Sequence, residues 1–529
     1  MSDMKTVNII GAGLAGLSAA ITLARAGVSS NLISSQPSER AQSVLAEGGI
    51  NASLNTMGEH DTTTEHFADT MKGGCFLSSE RAVGGLTENA PSIVKELAAL
   101  GVPFNAQNGR LLLRNFGGQK KKRTAHAKSS TGKMIMSALI DEARKYEAQG
   151  LIRRFPNHEL ICIDVHDNVL ANVTVRDNYS RKYLRFTGAA ILCTGGLNGF
   201  FEGMTTGTTQ NTGSAAAIAF CAGAELANLE FIQYHPTTVS ITGKRMLISE
   251  AARGEGGRLY ILRKDKPWYF MEEKYPELGN LMPRDVVSRE MTAVVSMPEC
   301  TGSVMLDLTG LSADVWSGKL SDLRAEIMSY MNIDPKLSPI PVSPGIHYFM
   351  GGIRVNIRHE TSVKNLYAAG EAACQYHGAN RLGGNSMLGA IYGGKVAALS
   401  ALETAAKASI DSVNAKAESS LPKNRTKLCC ILSSGLGMIR SEQPLIKAVA
   451  DLDELLKSGT LNEIDRSRTL LGKAMLLSAL ARKESRGAHT RSDYPHTSAD
   501  FQKTTVAGMH NGEVIIRFAA IDESEGSPK

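Results

Sequence analysis

The chain has 529 residues, of which 43% are apolar and 21% charged, and its formal net charge is +6. This composition excludes a mainly disordered chain, and the length allows about three domains or one large domain with insertions. Glycine is abundant, at 51 residues, which favours many close backbone approaches. The small, diffuse charge does not indicate nucleic-acid binding, and the run Lys120-Lys121-Lys122-Arg123 is expected to be a solvated loop.

The sequence also lacks the patterns typical of membrane-spanning, secreted and metal-binding proteins. No stretch of about 18 uncharged apolar residues is present, so we expect no membrane span. The first residues do not resemble a secretory signal, so we expect a cytoplasmic protein, with peripheral attachment at the inner face of a membrane as the alternative. The eight cysteines include no CxxC pair and no iron–sulfur or zinc spacing, so no metal site is predicted. A redox role would need an organic carrier or a partner protein.

The first strong pattern lies at the N-terminus. Residues 6–10 predict a strand, residues 17–26 a helix and residues 30–34 a second strand, and GxGxxG at 11–16 joins the first two. Gly11 permits the tight turn, Gly13 (next to Ala12) lets a pyrophosphate approach, and Gly16 lets helix and strand pack closely. Dinucleotide binding is predicted. The acid expected after the second strand is replaced by Ser34-Ser35, which disfavours NAD and leaves FAD open.

Further glycine-bearing turns occur at residues 46–51, 191–196 and 366–371, the last two at the ends of apolar runs. Ligands in open α/β sheets bind at the carboxyl ends of strands, so several such ends can converge on one long cofactor. Together these turns favour an FAD-binding fold.

With these turns, an ordered set of motifs makes the chain resemble the flavoprotein family of fumarate reductase, succinate dehydrogenase and L-aspartate oxidase. The motifs are Tyr234-His235-Pro236-Thr237, Glu250 to Gly256, Pro283-Arg284-Asp285, His347 to Gly352 and Gly378-Ala379-Asn380-Arg381. The resemblance covers residues 5–400, with a weaker echo at 486–489 and 493–495.

The resemblance implies an α/β fold in which a Rossmann-like FAD-binding domain carries an inserted α+β capping domain and is followed by a C-terminal helical domain. We assign 1–233 and 346–405 to the FAD-binding domain, 234–345 to the capping domain, 406–489 to the helical domain and 490–529 to a C-terminal tail. Residues 406–420 are expected to be a helix end and linker, and the last residues a mobile polar end. Periodic apolar residues at 445–456 and 470–480 predict amphipathic helices.

The same resemblance implies the roles of the site residues. The substrates are four-carbon dicarboxylates, and the reaction exchanges a hydride with flavin N5. Arg284 is implied as the proton donor, with Glu250 and Arg253 as the relay that restores its proton. Substrate binding is implied for His235, Ser249, His347, Arg381 and Phe116.

The implied FAD contacts come from several parts of the chain. They are Gly11, Ala12, Gly13, Gly16, Glu47, Gly48, Gly49, Glu371, Asn385, Ser386 and Leu388. Thr212-Gly213-Ser214-Ala215 lacks the Asp that the family usually carries in this segment, which removes one expected contact.

Two departures discriminate within the family. Gln42 stands where membrane-complex members carry the His that binds FAD covalently, so we expect non-covalent FAD. Phe116 stands where L-aspartate oxidases carry a Glu thought to face the substrate ammonium, which favours an unaminated dicarboxylate or marks a simple core position.

The preferred function is therefore that of a fumarate reductase or succinate dehydrogenase-like flavoprotein. An iron–sulfur electron-transfer subunit is an implied partner, and nucleic acid is not. L-aspartate oxidase, which converts aspartate to iminoaspartate in NAD biosynthesis, is the alternative, favoured by the chain length and the non-covalent flavin. A non-catalytic flavoprotein scaffold and a reductase of another α,β-unsaturated acid also stay open.

Overall fold

The computed structural model describes residues 5–128, 130–241, 244–413 and 425–523. At its centre is a sheet of five parallel strands. A sixth, short strand, Ala406–Lys407, pairs antiparallel with the strand Lys5–Ile10. In spatial order the parallel strands are Leu366–Ala368, Ala190–Leu192, Lys5–Ile10, Ser29–Ser34 and Ile152–Pro156. Because all five run the same way, their carboxyl ends lie along one edge, as the glycine turns predicted.

The N-terminal unit follows the predicted order, with the helix Leu14–Arg25 between the first two strands. This helix packs against the helix Asn385–Thr404, and its small residues permit the close approach. A Cβ on Gly16 would lie 1.8 Å from the Gly11 carbonyl oxygen, so no larger residue fits there without a backbone shift. Three further helices of this part of the fold are Thr63–Gly73, Glu80–Ala99 and Thr131–Ala148.

A second, antiparallel sheet and a short helix complete this half of the molecule. The strands are, in order, Ile410–Val413, Tyr183–Thr187, Val169–Asp177 and His158–His166, and the helix is Ser214–Cys221. The expected linker at 406–420 thus begins with two strands, because residues 410–413 pair with Tyr183–Phe186. Its remainder lies outside the described residues.

The central part of the chain builds its own apolar core, which includes Ile261, Phe270, Met291 and Ile327. An antiparallel sheet and three helices surround this core. The strands are Lys266–Trp268, Arg258–Arg263, Cys300–Asp307 and Ile340–Pro341, and the helices are Phe270–Lys274, Arg284–Val295 and Ser321–Met331. This α+β unit is the predicted cap.

Two long strands lead into and out of the cap. Ile232–Ile241 and Ser343–Phe349 pair antiparallel, and Lys244–Leu247 adds to their edge. Residues 234 and 345, where we placed the domain boundaries, lie inside these strands. The boundaries themselves stay a prediction.

The C-terminal part begins with three helices, Arg425–Gly435, Glu442–Lys457 and Glu463–Ala481. Glu442–Lys457 confirms the amphipathic prediction, because its buried residues repeat on one face. Glu463–Ala481 is a helix as predicted but not an amphipathic one, because none of residues 470–480 is exposed. The segment 490–529 is more than a tail, because its strands Thr504–His510 and Glu513–Ala519 extend a sheet that contains Leu226–Ala227 and Gly352–Arg354. The apolar side chains of Val506 and Ala507 are buried there. The end expected to be mobile, from residue 524, lies outside the described residues.

The basic run at 120–123 is only partly solvated. Arg123 has no exposed surface, and its guanidinium lies 2.9 Å from both Asp61 and Asp69. The expectation of a solvated loop is therefore wrong for Arg123, whose charge is neutralised by two carboxylates from a distant part of the sequence.

Two absences hold for the part of the chain that the structure describes. Its helices are all too short or too polar to cross a bilayer. Its His, Cys, Asp and Glu side chains form no group of three suited to a metal ion.

Candidate active site

One large cavity, of about 560 Å³, lies between the carboxyl edge of the parallel sheet and the cap. Glycine turns line one part of it and charged side chains line another. Fifteen of the nineteen predicted site residues reach its wall: Gly11, Ala12, Gly13, Glu47, Gly48, Gly49, Phe116, His235, Ser249, Glu250, Arg284, His347, Glu371, Ser386 and Arg381. Segments more than 300 residues apart in sequence therefore meet at one site.

The glycine part of the cavity suits a dinucleotide. Gly11 has a φ of +112°, and a Cβ there would lie 2.1 Å from the Cys193 carbonyl oxygen. Leu14, the first residue of the helix, points its N–H to the Ser43 hydroxyl at 3.3 Å, so the positive end of the helix faces this region. The strand-end turns at 194–195 and 369–371 lie along the same wall. The residues present therefore fit the FAD that the sequence predicted.

Four predicted residues lie behind the cavity wall. Gly16 provides the close contact between helix and turn, and Arg253 lies behind Glu250. Leu388 is fully buried in the apolar core beside the parallel sheet. The Asn385 side chain bonds to Asn51, His66 and Thr70 instead of facing the cavity. Asn385 and Leu388 thereby hold the start of the helix Asn385–Thr404 in place, and Ser386 of the same helix lines the cavity.

Glu371 sits at a strand end, as predicted. Its carboxylate accepts a hydrogen bond from the backbone N–H of Phe349 at 3.1 Å. Burial raises the pKa of Glu371 to about 7, and Arg381 limits that rise. The side chain therefore links the FAD-binding part to the strand that carries His347.

The three predicted proton-transfer residues form a continuous buried chain. Arg284 donates to the Glu250 carboxylate through Nε at 2.9 Å and Nη2 at 2.6 Å. Arg253 Nη2 lies 3.4 Å from the other carboxylate oxygen, which also accepts the Gly117 N–H at 3.0 Å. Burial alone would raise the pKa of Glu250, but Arg284 and Arg253 hold it at about 2. Glu250 is thus an anion held between two cations.

The fold places these residues from two directions. Arg284 is the first residue of the cap helix Arg284–Val295, whose positive dipole end opposes a cation there. Glu250 directly precedes the short helix Ala251–Gly254, and Arg253 lies within it, three residues on. Their side chains meet at 3.4 Å, as that spacing predicted.

The predicted substrate residues surround the same cavity. The rings of His235 and His347 lie 5.3 Å apart between centroids. Burial, with Arg284 as the next cause, holds the pKa of both imidazoles well below 6.5, so both are neutral at physiological pH. Ser249 lies on the wall beside Glu250, and Arg381 is 3% exposed. Burial and the charge of Arg284 lower the pKa of Arg381 to about 9.

Three residues that the sequence did not single out complete the site. The Gln233 amide oxygen accepts from both Arg284 and Arg381, and the Tyr348 ring lies 4.6 Å from the Arg381 guanidinium. Thr206 bonds through its hydroxyl to His347 Nδ1 at 2.8 Å. Gln233 lies on the same strand as His235, two residues before it, and residues two apart on a strand face the same side. This spacing was the one sequence signal that could have indicated Gln233.

Gln42 and Phe116, the two positions that distinguish members of the family, both line the cavity. Gln42 accepts a hydrogen bond from the Thr208 N–H at 2.5 Å. Phe116 is 3% exposed, and its ring would lie 3.0 Å from a Cβ on Gly48. Phe116 thus packs on a cofactor turn while lining the cavity.

Comparison with known proteins agrees with this geometry. The FAD binding domain family matches residues 6–387, and the fumarate reductase flavoprotein C-terminal family matches residues 425–528. The succinate dehydrogenase flavoprotein subunit of Bacillus subtilis is 36% identical, over 96% of this chain and 94% of its own length. The L-aspartate oxidase of Mesorhizobium japonicum is 34% identical, over 98% and 97%.

Solved structures show the same relationship. E. coli quinol fumarate reductase superposes with a TM-score of 0.85 at 28% identity, over 99% of this chain and 98% of that chain. The predicted α/β fold with an FAD-binding domain and a further C-terminal domain is confirmed. The chain belongs to the FAD-dependent oxidoreductase family of succinate dehydrogenase and fumarate reductase flavoprotein subunits and L-aspartate oxidase.

Proposed function

We propose that this flavoprotein interconverts fumarate and succinate, acting as a fumarate reductase or succinate dehydrogenase-type enzyme on a C4 dicarboxylate. The observation that carries the proposal is the meeting of Arg284, Arg381 and two neutral histidines in one cavity with the FAD cradle. FAD, when bound, supplies or accepts the hydride.

The charges of the site favour a dianion. Arg253, Arg284 and Arg381 carry three positive charges, and Glu250 carries one negative charge, which leaves two positive charges among these four buried groups. Buried charge without a counter-ion is costly, so the site favours a ligand with two negative charges. A dicarboxylate supplies both.

The substrate-binding side chains have distinct tasks. Arg381 presents a planar fork that can bind one carboxylate through two hydrogen bonds. His235, neutral and buried, and the hydroxyl of Ser249 would hold the other carboxylate. His347, oriented by Thr206 and 5.3 Å from the His235 ring, would lie beside the carboxylate that Arg381 binds.

Arg284 would move the proton. A guanidinium is a poor acid in water, with a pKa above about 12, so it can serve only if its proton is restored at once. Glu250 contacts Arg284 at 2.6 Å and connects it to Arg253, which gives a path for that proton away from the cavity. The positive end of the cap helix further assists proton loss from Arg284.

L-aspartate oxidase activity is the second candidate, supported by a relative of almost the same length. Aspartate carries an ammonium group that needs an anion with free hydrogen-bonding capacity. Glu250 already accepts from Arg284 and from Gly117 and lies 3.4 Å from Arg253, and Phe116 offers no charge. The site therefore favours the unaminated dicarboxylate.

We further propose that FAD is bound without a covalent link, because Gln42 cannot form one, and that electrons pass to or from an iron–sulfur partner. The described residues contain no metal-binding cluster of His, Cys, Asp and Glu, and several relatives are named as subunits. Such a partner would place this chain at the periphery of a membrane complex.

A paired assay tests the proposal. The purified FAD-loaded protein is given fumarate with a reduced viologen, and in parallel aspartate with oxygen, with peroxide as the readout. We expect viologen oxidation to be faster by more than tenfold. Peroxide release that exceeds fumarate reduction would instead establish the oxidase. Acid precipitation in the same preparation should release the yellow flavin into the supernatant, and flavin retained in the pellet would contradict a non-covalent link.

A further inference from the structure

The Gln233 side chain lies between the two arginines assigned to proton transfer and substrate binding. Its amide oxygen accepts from Arg381 Nη2 at 2.9 Å and from Arg284 Nη1 at 3.3 Å. Gln233 is fully buried, so no bulk water can take over either bond. Two guanidinium groups thus share one neutral acceptor.

The direction of this amide is determined by its nitrogen. Nε2 donates to the Asn380 side-chain oxygen at 2.7 Å and to the Arg381 backbone carbonyl at 2.8 Å. A flipped amide would place N–H groups against two guanidiniums and its oxygen against two acceptors, which makes four bonds impossible. Asn380 is held in turn, because its amide donates to Asp285 at 2.8 Å.

The neutrality of Gln233 has an electrostatic consequence. Arg284 and Arg381 repel each other, and the charge of Arg284 contributes to the lowered pKa of Arg381. A carboxylate at position 233 would offset this repulsion but would also cancel one of the two positive charges available to a dianion. An amide orients both guanidiniums while leaving their charge for the substrate.

We propose that Gln233 is a positioning residue that sets the spacing of Arg284 and Arg381, with Asn380 holding its amide in the productive orientation. The proposal rests on the dicarboxylate function proposed above. Gln233 would act through the two arginines, without contributing chemistry of its own, and it does not line the cavity wall.

The test compares Gln233→Leu, Gln233→Glu and Asn380→Ala with the wild type. Fumarate reduction gives kcat and KM, and succinate titration followed by the flavin absorbance gives a dissociation constant independent of turnover. FAD content and melting temperature report folding. The matched control is Gln375→Leu, because Gln375 is partly buried, does not line the cavity, and has no hydrogen-bond partner at Nε2.

We expect Gln233→Leu to lower kcat/KM by about ten- to a hundred-fold, the range for losing hydrogen bonds to charged groups. Gln233→Glu should weaken succinate binding by more than tenfold, with a kcat closer to the wild type than that of Gln233→Leu. Asn380→Ala should change kcat/KM and the succinate dissociation constant in the same direction as Gln233→Leu does. It provides the test if Gln233→Leu does not fold.

The contrary outcomes are separable. A wild type that neither reduces fumarate nor binds succinate refutes the proposed function and this inference with it. An active wild type with unchanged kcat and KM in Gln233→Leu and Asn380→Ala refutes only the positioning role. Equal losses in the Leu and Glu variants, in step with lost FAD or melting temperature, would assign Gln233 a structural role and also overturn it.

Discussion

Replacing Glu250 by Gln tests the buried charge chain most directly. The substitution keeps the shape of the side chain but removes the anion that faces Arg284 and Arg253. The pKa of Glu250 lies at about 2, against an ordinary value of 4.5. That difference corresponds to about 3 kcal/mol of stabilisation of the ionised form in the folded protein. Breaking a buried ion pair costs about 3–5 kcal/mol in other proteins, so the two magnitudes agree.

The pH dependence has a defined sign. Because the folded pKa is depressed, the contribution is complete above about pH 4.5 and is lost as the pH falls toward 2. Glu250→Gln should therefore lower the free energy of unfolding by about 3 kcal/mol at pH 7. The difference in unfolding free energy between variant and wild type should shrink as the pH falls from about 4.5 to about 2. Chemical denaturation at several pH values, with FAD present at a fixed concentration, measures the difference.

Glu272→Gln is the matched control in the same cap. Glu272 pairs with Arg258 at 2.7 Å, but both side chains are more than a third exposed, so the loss should stay below about 1 kcal/mol. An effect of Glu250→Gln no larger than that of the control would refute the buried charge chain. Fumarate reduction in Glu250→Gln should also fall by about a hundredfold or more, since a proton path of this kind contributes about 10²–10⁴.

Three further expectations follow from the site. Arg284→Ala should abolish turnover while FAD stays bound, as measured by flavin absorbance after gel filtration; full activity in this variant would remove its role as proton donor. Arg381→Gln should weaken succinate binding by more than tenfold at pH 7, because it removes one of the buried positive charges that favour a dianion, and an unchanged dissociation constant would contradict this. Gly16→Ala should lose FAD, because its Cβ would meet the Gly11 carbonyl oxygen at 1.8 Å, whereas Gly84→Ala, at an open helical position, should keep it.

Local patterns predicted much of the fold. The strand, glycine turn and helix at the N-terminus depend on neighbouring residues, so their order could be read directly from the chain. The amphipathic helix at 442–457 is local for the same reason. The helix at 463–481 was also predicted from its local pattern, but tertiary packing leaves no exposed face over residues 470–480. Strands Thr504–His510 and Glu513–Ala519 form a hairpin around Asn511-Gly512, a local turn signal that the sequence analysis did not use. Only their place beside residues 226–227 depends on contacts far away in sequence.

The candidate site divides in the same way. Arg284, Glu250 and Arg381 were indicated only by motifs of a family that the comparisons confirm, because no local pattern marks a guanidinium as functional. Asn385 and Leu388 were implied as FAD contacts, yet helix packing turned both side chains away from the cavity. Arg123 looked solvated in a basic run, and Asp61 and Asp69 bury it.

The sequence by itself determined the cofactor class, because glycine turns are properties of the chain, and its motif order indicated the residues that we propose bind a dicarboxylate. Only the tertiary structure decided which charges meet. Glu250 and Arg284 are 34 positions apart, and Gln233 and Arg381 are 148 apart, so folding alone brings them within hydrogen-bonding distance. Burial then gives these contacts their effect, because the same groups in water would attract and orient one another only weakly.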